Sequence, residues 1–132
     1  MTQTRWLSAD EQRSWRAWLT ASALLTEQLE HELKDARGLS MAEYEVLVRL
    51  SEAPNRHLRM SDLASKTLSS RSRLSHQIAR MEAAGLVRRE DCAEDRRGAW
   101  AVLTDAGFAR LVEAAPDHVE SVRRHLVDVL SP

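Results

Sequence analysis

The sequence predicts a mainly α protein with a small β-wing, and three patterns carry that prediction. Apolar residues recur at three- and four-residue steps near both ends of the 132-residue chain, the spacing of long amphipathic helices. In the middle, two shorter helical stretches meet at the turn Thr67-Leu68-Ser69. A Gly85 break then leads into two strand-like runs separated by a polar turn.

Taken in order, Ser8-Ala9-Asp10-Glu11 opens the first helix as a capping box, with Ser8 as cap and Glu11 reaching back. Trp15, Trp18, Leu19, Ser22, Leu25, Leu29 and Leu33 trace one stripe to about Asp35, and Gly38 ends the helix. So long an apolar face needs a partner surface. A second copy of the chain is the economical one, because the remaining residues are too few to cover it. Ser40-Met41-Ala42-Glu43 is a second capping box. The helix behind it turns Tyr44, Leu47, Val48 and Leu50 inward and stops at Ala53-Pro54-Asn55. Leu58-Arg59 reads as a short extended segment, and a helix follows from about Met60 to Thr67 with Leu63 and Ala64 buried.

Ser69 is the expected cap of the next helix, whose inner positions are Leu74, Ile78, Met81 and Ala84. Gly85 closes it, where a left-handed residue is expected. Leu86–Glu90 and Trp100–Leu103 are the two expected strands. Thr104-Asp105 caps a last helix with the seam Leu111, Ala115, Val119, Val122, Leu126 and Val129. Pro116 should kink this helix rather than end it, since the seam keeps register on both sides.

The chain is 43% hydrophobic and 30% charged, enough to bury a core and unlike a disordered tail. A net charge of −1 makes no global case for nucleic acid, but its distribution does. Residues 1–55 carry six Lys/Arg against nine Asp/Glu, residues 56–97 ten against six, and residues 98–132 three against five. A basic middle between acidic ends is the footprint of a local anion-binding surface. With Cys92 as the single cysteine no intramolecular disulfide can form, which fits a reducing compartment. No apolar run approaches the ~18 residues of a membrane span. Met1-Thr2-Gln3-Thr4 lacks the order of a signal peptide. A cytoplasmic location is expected.

The order helix, helix, helix-turn-helix, two-stranded wing, long C-terminal helix resembles the multiple antibiotic resistance regulator (MarR) family. The residues that carry it are Ser61-Asp62-Leu63-Ala64, Leu68-Ser69 with the serines up to Ser75, and Met81-Glu82-x-x-Gly85-Leu86-Val87-x-Arg89. Asp95-Arg96-Arg97 and Leu103-Thr104-x-x-Gly107 complete it, so the resemblance spans about residues 8–130. It implies one domain over 1–132. A winged helix-turn-helix DNA-binding lobe (40–104) would sit beside N- and C-terminal helices (8–37 and 105–132) forming a dimerisation arm. Two recognition helices of an obligate homodimer would read a pseudo-palindromic operator in double-stranded DNA, with each wing tip in the minor groove. Many members release DNA when a small aromatic acid or phenol binds between arm and lobe, and others respond to cysteine oxidation. Proteins similar to this one continue past Leu-Ser-Pro into another turn or more of helix. Here the sequence ends at Leu130-Ser131-Pro132, so either a shortened chain or a smaller interface is expected.

The expected DNA-reading residues are Ser70, Arg71, Ser72, Arg73, Ser75, His76, Gln77 and Arg80, outward on the second helix of the pair. Arg forks onto guanine O6/N7, Gln onto adenine N6/N7, and Ser donates to phosphate or a base edge. A charged helix face is usually just a solvated one. Here no acidic residue lies between Ser69 and Met81, and a helix N-terminus would itself attract phosphate. At the wing tip, Arg96 and Arg97 offer minor-groove insertion, and the resemblance casts Asp95 as orienting Arg97. The plainer reading of that tip is a screened surface ion pair. Arg88 and Arg89 at the strand base are expected to touch phosphates or Glu90.

Trp15, Trp18, His31 and Tyr44, with Trp6, are the candidate lining of an aromatic effector pocket, since an indole offers a stacking face and one donor. Dimer-core packing stands beside that reading, because aromatics at helical spacing are more often core. Cys92 beside Arg96 and Arg97 is a candidate redox sensor, opposed by Asp91, Glu94 and Asp95 and by the lack of a resolving cysteine. His118 and His125 lie seven residues apart, about two turns, too far to share a metal alone. No metal site and no cofactor are expected. There is no phosphate loop, nucleophile elbow or paired carboxylate in an apolar setting, so an enzyme is not expected. The expected function is a sequence-specific, ligand-responsive repressor. Its alternatives are a winged-helix protein-interaction module without DNA binding and a cysteine-based redox-sensing regulator.

Overall fold

The computed structural model describes residues 2–91 and 98–130. Helix α1 (Ala9–Arg37) opens as expected: Ser8 Oγ accepts from Glu11 N at 3.1 Å, and Ser8 N donates to Glu11 Oε1 at 3.2 Å. It closes at Gly38, whose φ of +68° places it in the left-handed region. Leu29 and Leu33 are buried, whereas Trp15, Trp18 and Leu19 face solvent. The stripe therefore has an inner C-terminal half and an outer N-terminal half.

Helix α2 (Met41–Ser51) carries the second capping box, and Met41 N also donates to Glu30 Oε2 at 2.8 Å, tying α2 to α1. Its buried residues are Tyr44, Val46, Leu47 and Leu50, while Val48 is only partly buried. The helix touches α1, the helix after it, the sheet and the C-terminal helix, so more than one stripe of it is covered. A single-stripe reading misses Val46.

After a tight turn at Pro54–Arg56 comes β1 (His57–Arg59), followed by α3 (Met60–Lys66), which buries Leu63 and Ala64. Strand β1 pairs antiparallel with β3 (Ala99–Leu103), and β3 pairs with β2 (Val87–Asp91), giving the order β1-β3-β2. The sheet thus has three strands rather than the two expected of the wing alone. The short extended segment expected at Leu58-Arg59 is this third strand, and its pairing with β3 brings it into the sheet.

The turn between α3 and α4 (Arg71–Ala83) contains Leu68 at φ +53°, 95% exposed. Ser69 N still bonds Ala64 O at 3.0 Å, so Ser69 belongs to the turn and the helix starts one residue later. The cap is Ser70, whose Oγ accepts from Arg73 N at 3.1 Å, not Ser69. Leu74, Ile78 and Met81 are fully buried, as their spacing demands. Ala84, expected inside, is exposed, because Gly85 (φ +79°) turns the chain away there.

Helix α5 (Asp105–Val122) is capped by Thr104 and runs through Pro116 without ending. A π-helical turn at Arg123–Val127 and a short α6 (Asp128–Leu130) continue it. Its buried residues are Gly107, Leu111, Ala114 and Ser121, whereas Val119 of the expected seam is exposed and Ala115 only partly buried. The helix has two apolar faces. One packs on α1 and α2, and the other, with Val112, Val119, Leu126 and Val129, is left exposed among the described residues. Leu33, Leu111 and Ala114 join the same buried cluster as Leu47, Leu63 and Ile78, so arm and lobe share one core.

Polar contacts hold α1 to α5. Arg37 Nε lies 2.6 Å from Asp117 Oδ2, and Arg110 Nη2 donates to Arg37 O at 2.6 Å, satisfying a carbonyl of the last turn of α1. His125 Nε2 lies 3.0 Å from Glu32 Oε1, with Arg124 at 3.4 Å. Hydrogen bonds from His125 and then Ser121 pull the Glu32 carboxyl from its ordinary 4.5 down to about 2. With the folded value depressed, ionised Glu32 adds stability that is present above about pH 4.5 and lost as the pH falls toward 2. Thermal melts across that window should show Glu32→Gln losing less Tm than the wild type. Identical acid profiles would remove Glu32 as the cause.

Candidate nucleic-acid interface

The fold presents the outer side of α4 as a basic face. Arg71, Ser72, Arg73, His76 and Arg80 are exposed, Ser75 is half-buried, and the helix carries no acidic residue in its first turn. Ser70 lies at the helix start with its acceptor already used in capping. Gln77 departs from the expectation. It is 8% exposed, on the inner side of the helix toward α2, and its amide nitrogen has no partner among the described residues. The reason is angular: Gln77 lies three residues after Leu74 and four before Met81, so it shares their buried side. Its expected place on the outer face is corrected accordingly.

The wing is anchored to this helix through the start of β2. Arg89 N donates to Glu82 Oε2 at 2.8 Å, and Arg89 Nη1 reaches Ser75 Oγ at 3.5 Å. Arg88 pairs instead with Glu90 at 2.8 Å, and that guanidinium holds the Glu90 carboxyl below its usual range. Of the two arginines at the strand base, only Arg88 therefore meets Glu90. The expected wing-tip residues Asp95, Arg96 and Arg97, and Cys92 with them, lie outside the described residues.

A junction missed in the sequence fixes the wing against α5. Thr104 Oγ1 accepts from Gly107 N at 3.0 Å and donates to Gly85 O at 2.7 Å. Thr104 N donates to Leu86 O at 3.2 Å. One side chain thereby joins the end of β3, the start of α5 and the turn after α4. The Thr104-x-x-Gly107 spacing was the available signal, since a cap bonds three residues ahead; the third partner, Gly85, is visible only in the fold. Sequence reasoning also passed over Arg59, whose guanidinium stacks on Trp100 at 5.3 Å.

The four effector candidates do not converge within one protomer. Trp15 and Trp18 are 49% and 64% exposed, and Trp15 lies sixteen residues before His31, roughly 24 Å along the helix. His31 is exposed and pairs with Asp35 at 3.2 Å. Tyr44 is buried, its ring 4.4 Å from that of His118, a residue considered in the sequence only as a metal ligand. Burial pushes the Tyr44 hydroxyl up and the His118 imidazole down, so both favour their neutral forms. His31 lines two open grooves between α1 and the C-terminal helix, one reaching Leu25 and His125, the other Leu33 and His118. Among the described residues no group of three His, Cys, Asp or Glu is placed to hold a metal, and no helix is long and apolar enough to cross a membrane.

The family model described as "MarR family" matches residues 37–98. The HTH-type transcriptional regulator PecS of Dickeya dadantii is 31% identical over 116 residues, covering 86% of this chain and 67% of PecS. The transcriptional regulator HosA of Escherichia coli is 34% identical over 91 residues, covering 69% of this chain and 64% of HosA. The chain thus spans about two thirds of each. Among solved structures, AbsC, a MarR family transcriptional regulator from Streptomyces coelicolor, superposes with a TM-score of 0.91 at 56% identity, covering 98% of this chain and 86% of AbsC. Sco3205 from the same organism, a MarR family transcriptional regulator solved in complex with DNA, gives 0.93 at 46% identity, with coverage of 98% and 81%.

Proposed function

This chain belongs to the MarR family of winged helix-turn-helix, DNA-binding transcriptional regulators, and on that premise we propose that it is a homodimeric repressor of a pseudo-palindromic operator, released by a small aromatic or phenolic effector. The observation that carries the reading is the outer face of α4. Arg71, Arg73 and Arg80 stand exposed on a helix whose opposite side is locked by Leu74, Ile78 and Met81, so the donors are held on a rigid element. Gln77, being buried, is left out of the reading set. Asp95, Arg96 and Arg97 complete it from the wing tip, Arg97 as the minor-groove anchor.

The apolar faces left uncovered on α1 and α5 supply the surface for the second protomer and hold two lobes at the half-site repeat of about 34 Å that B-DNA requires. An effector that prefers another spacing of the lobes shifts the population away from DNA. The grooves reached by His31 lie on the arm that would transmit such a change, and Tyr44 couples to one of them through His118. Trp15 and Trp18 would contribute from the dimer face.

Gel-shift titrations at fixed salt test the reading. Arg73→Ala should cost about 1–3 kcal/mol on the cognate operator and less on random DNA, as loss of a base contact does. Arg97→Ala should weaken both. Unchanged operator affinity in both variants would overturn the groove assignment.

A further inference from the structure

Between the start of α3, the start of α4 and the root of the wing lies a cleft of about 350 Å³ lined by Arg59, Arg71 and Arg89, the serines Ser61 and Ser75, and the chain at Gly98. Among the described residues no carboxylate lines it and none of the three guanidiniums forms an ion pair. Three like charges gathered in one concavity repel one another unless an anion enters. Arg59 is not left to wander in solvent. Its guanidinium lies over the Trp100 ring, 5.3 Å from the centroid, and Trp100 sits opposite Arg59 in the β1–β3 ladder. Hydroxyls and arginine forks together are the donor set that suits a phosphate.

We propose that this cleft seats one phosphodiester of the DNA backbone in each half-site, with Arg59 as the contacting residue and Trp100 as the residue that positions it. The inference rests on the proposal that α4 enters the major groove. With α4 there and the wing tip in the adjacent minor groove, the strand dividing the two grooves passes between α4 and the wing root, where the cleft opens. The seat fixes register and carries no sequence preference, unlike the base-reading role of Arg73 and Arg80 on the outer face of α4, and Arg71 lies where the two meet.

The test scans an operator duplex carrying single neutral methylphosphonates, using the full chain at fixed salt. Wild type should lose about 5- to 10-fold at one phosphate per half-site. Arg59→Ala, present in both protomers, should show that loss once per half-site on the native duplex, about 25- to 100-fold in all, no further loss at that one phosphate, and a salt slope shallower by about 0.9 per half-site. Trp100→Leu should lose affinity with the slope retained, since the charge remains, and Trp100→Phe should restore it. A purely structural Trp100 would instead lower Tm and change affinity without that split, which overturns the positioning role.

Arg59→Ala binding like wild type, or adding its loss in full at every methylphosphonate, overturns the seat. Wild type with no salt-dependent operator binding overturns the DNA reading itself and the seat with it, a distinguishable failure. Without DNA, inorganic phosphate should stabilise wild type no more than chloride at matched ionic strength. A Tm rise in phosphate that Arg59→Ala abolishes would assign the cleft to a free oxyanion instead.

Discussion

A Gly107→Ala substitution is expected to cost about 3 kcal/mol and to lower Tm on the order of 10 °C, more than the same change at Gly38 or Gly85. A Cβ at Gly107 would lie 2.0 Å from Leu86 O and 2.7 Å from Leu103 Cδ1. The leucine side chain can turn aside, but the Leu86 carbonyl cannot. It accepts from Thr104 N, and the adjacent Gly85 carbonyl is held by the Thr104 hydroxyl. Moving Leu86 therefore means breaking the junction that sets α4, the wing and α5 against one another. DNA affinity should fall with stability because the wing and α4 lose their fixed relation. Gly85→Ala is the control. Nothing lies within 4 Å of its added Cβ, so only the left-handed backbone at φ +79° is strained, at about 1–2 kcal/mol. A Gly107→Ala melt no lower than that of Gly85→Ala would contradict the packing argument.

Val119→Asp is expected to convert the proposed dimer to monomers and to lower operator affinity by about 100-fold or more. Val119 is 53% exposed on the uncovered face of α5, in line with Val112, Leu126 and Val129, and a charge there does nothing to the protomer's own core. In a two-fold interface it enters twice, placing two carboxylates in an apolar seam, and each desolvated charge costs several kcal/mol. A monomer must then bind one half-site without the effective concentration its partner supplies. Sedimentation or light scattering reads the mass, and gel shift reads the affinity. A variant that remains dimeric at micromolar concentration would place the interface elsewhere.

Much of the fold was legible in the sequence because its signals are local. Both capping boxes, the left-handed residues Gly38 and Gly85, and the Leu74, Ile78, Met81 stripe depend on chemistry within one helical turn. The misreadings share a different cause. Ser69 and Ser70 are both good caps, and only the Ser69 N to Ala64 O bond, which keeps Ser69 in the preceding turn, decides between them. Strand β1 joins the sheet because β3 lies beside it. Gln77 is polar in a basic helix and reads as outward, yet it is buried on the same side as Leu74 and Met81. On α5 two apolar faces compete, and periodicity cannot say which one meets the chain's own α1 and which is left over.

By itself the sequence determined which segments are helical, where α1, α2 and α5 begin, and that the positive charge gathers in residues 56–97. Backbone capping, turn conformation and side-chain spacing act over three or four residues, so they can be read from neighbours. The tertiary structure alone decided which of the two apolar faces of α5 is inside, how far the stripe of α1 is covered, and what converges. It set Thr104 against Gly85, brought His118 to Tyr44, and stacked Arg59 on Trp100 among two further arginines. Those partners stand 19, 74 and 41 residues apart in the chain. Contacts at such separations depend on how whole elements pack, and no short-range pattern records that.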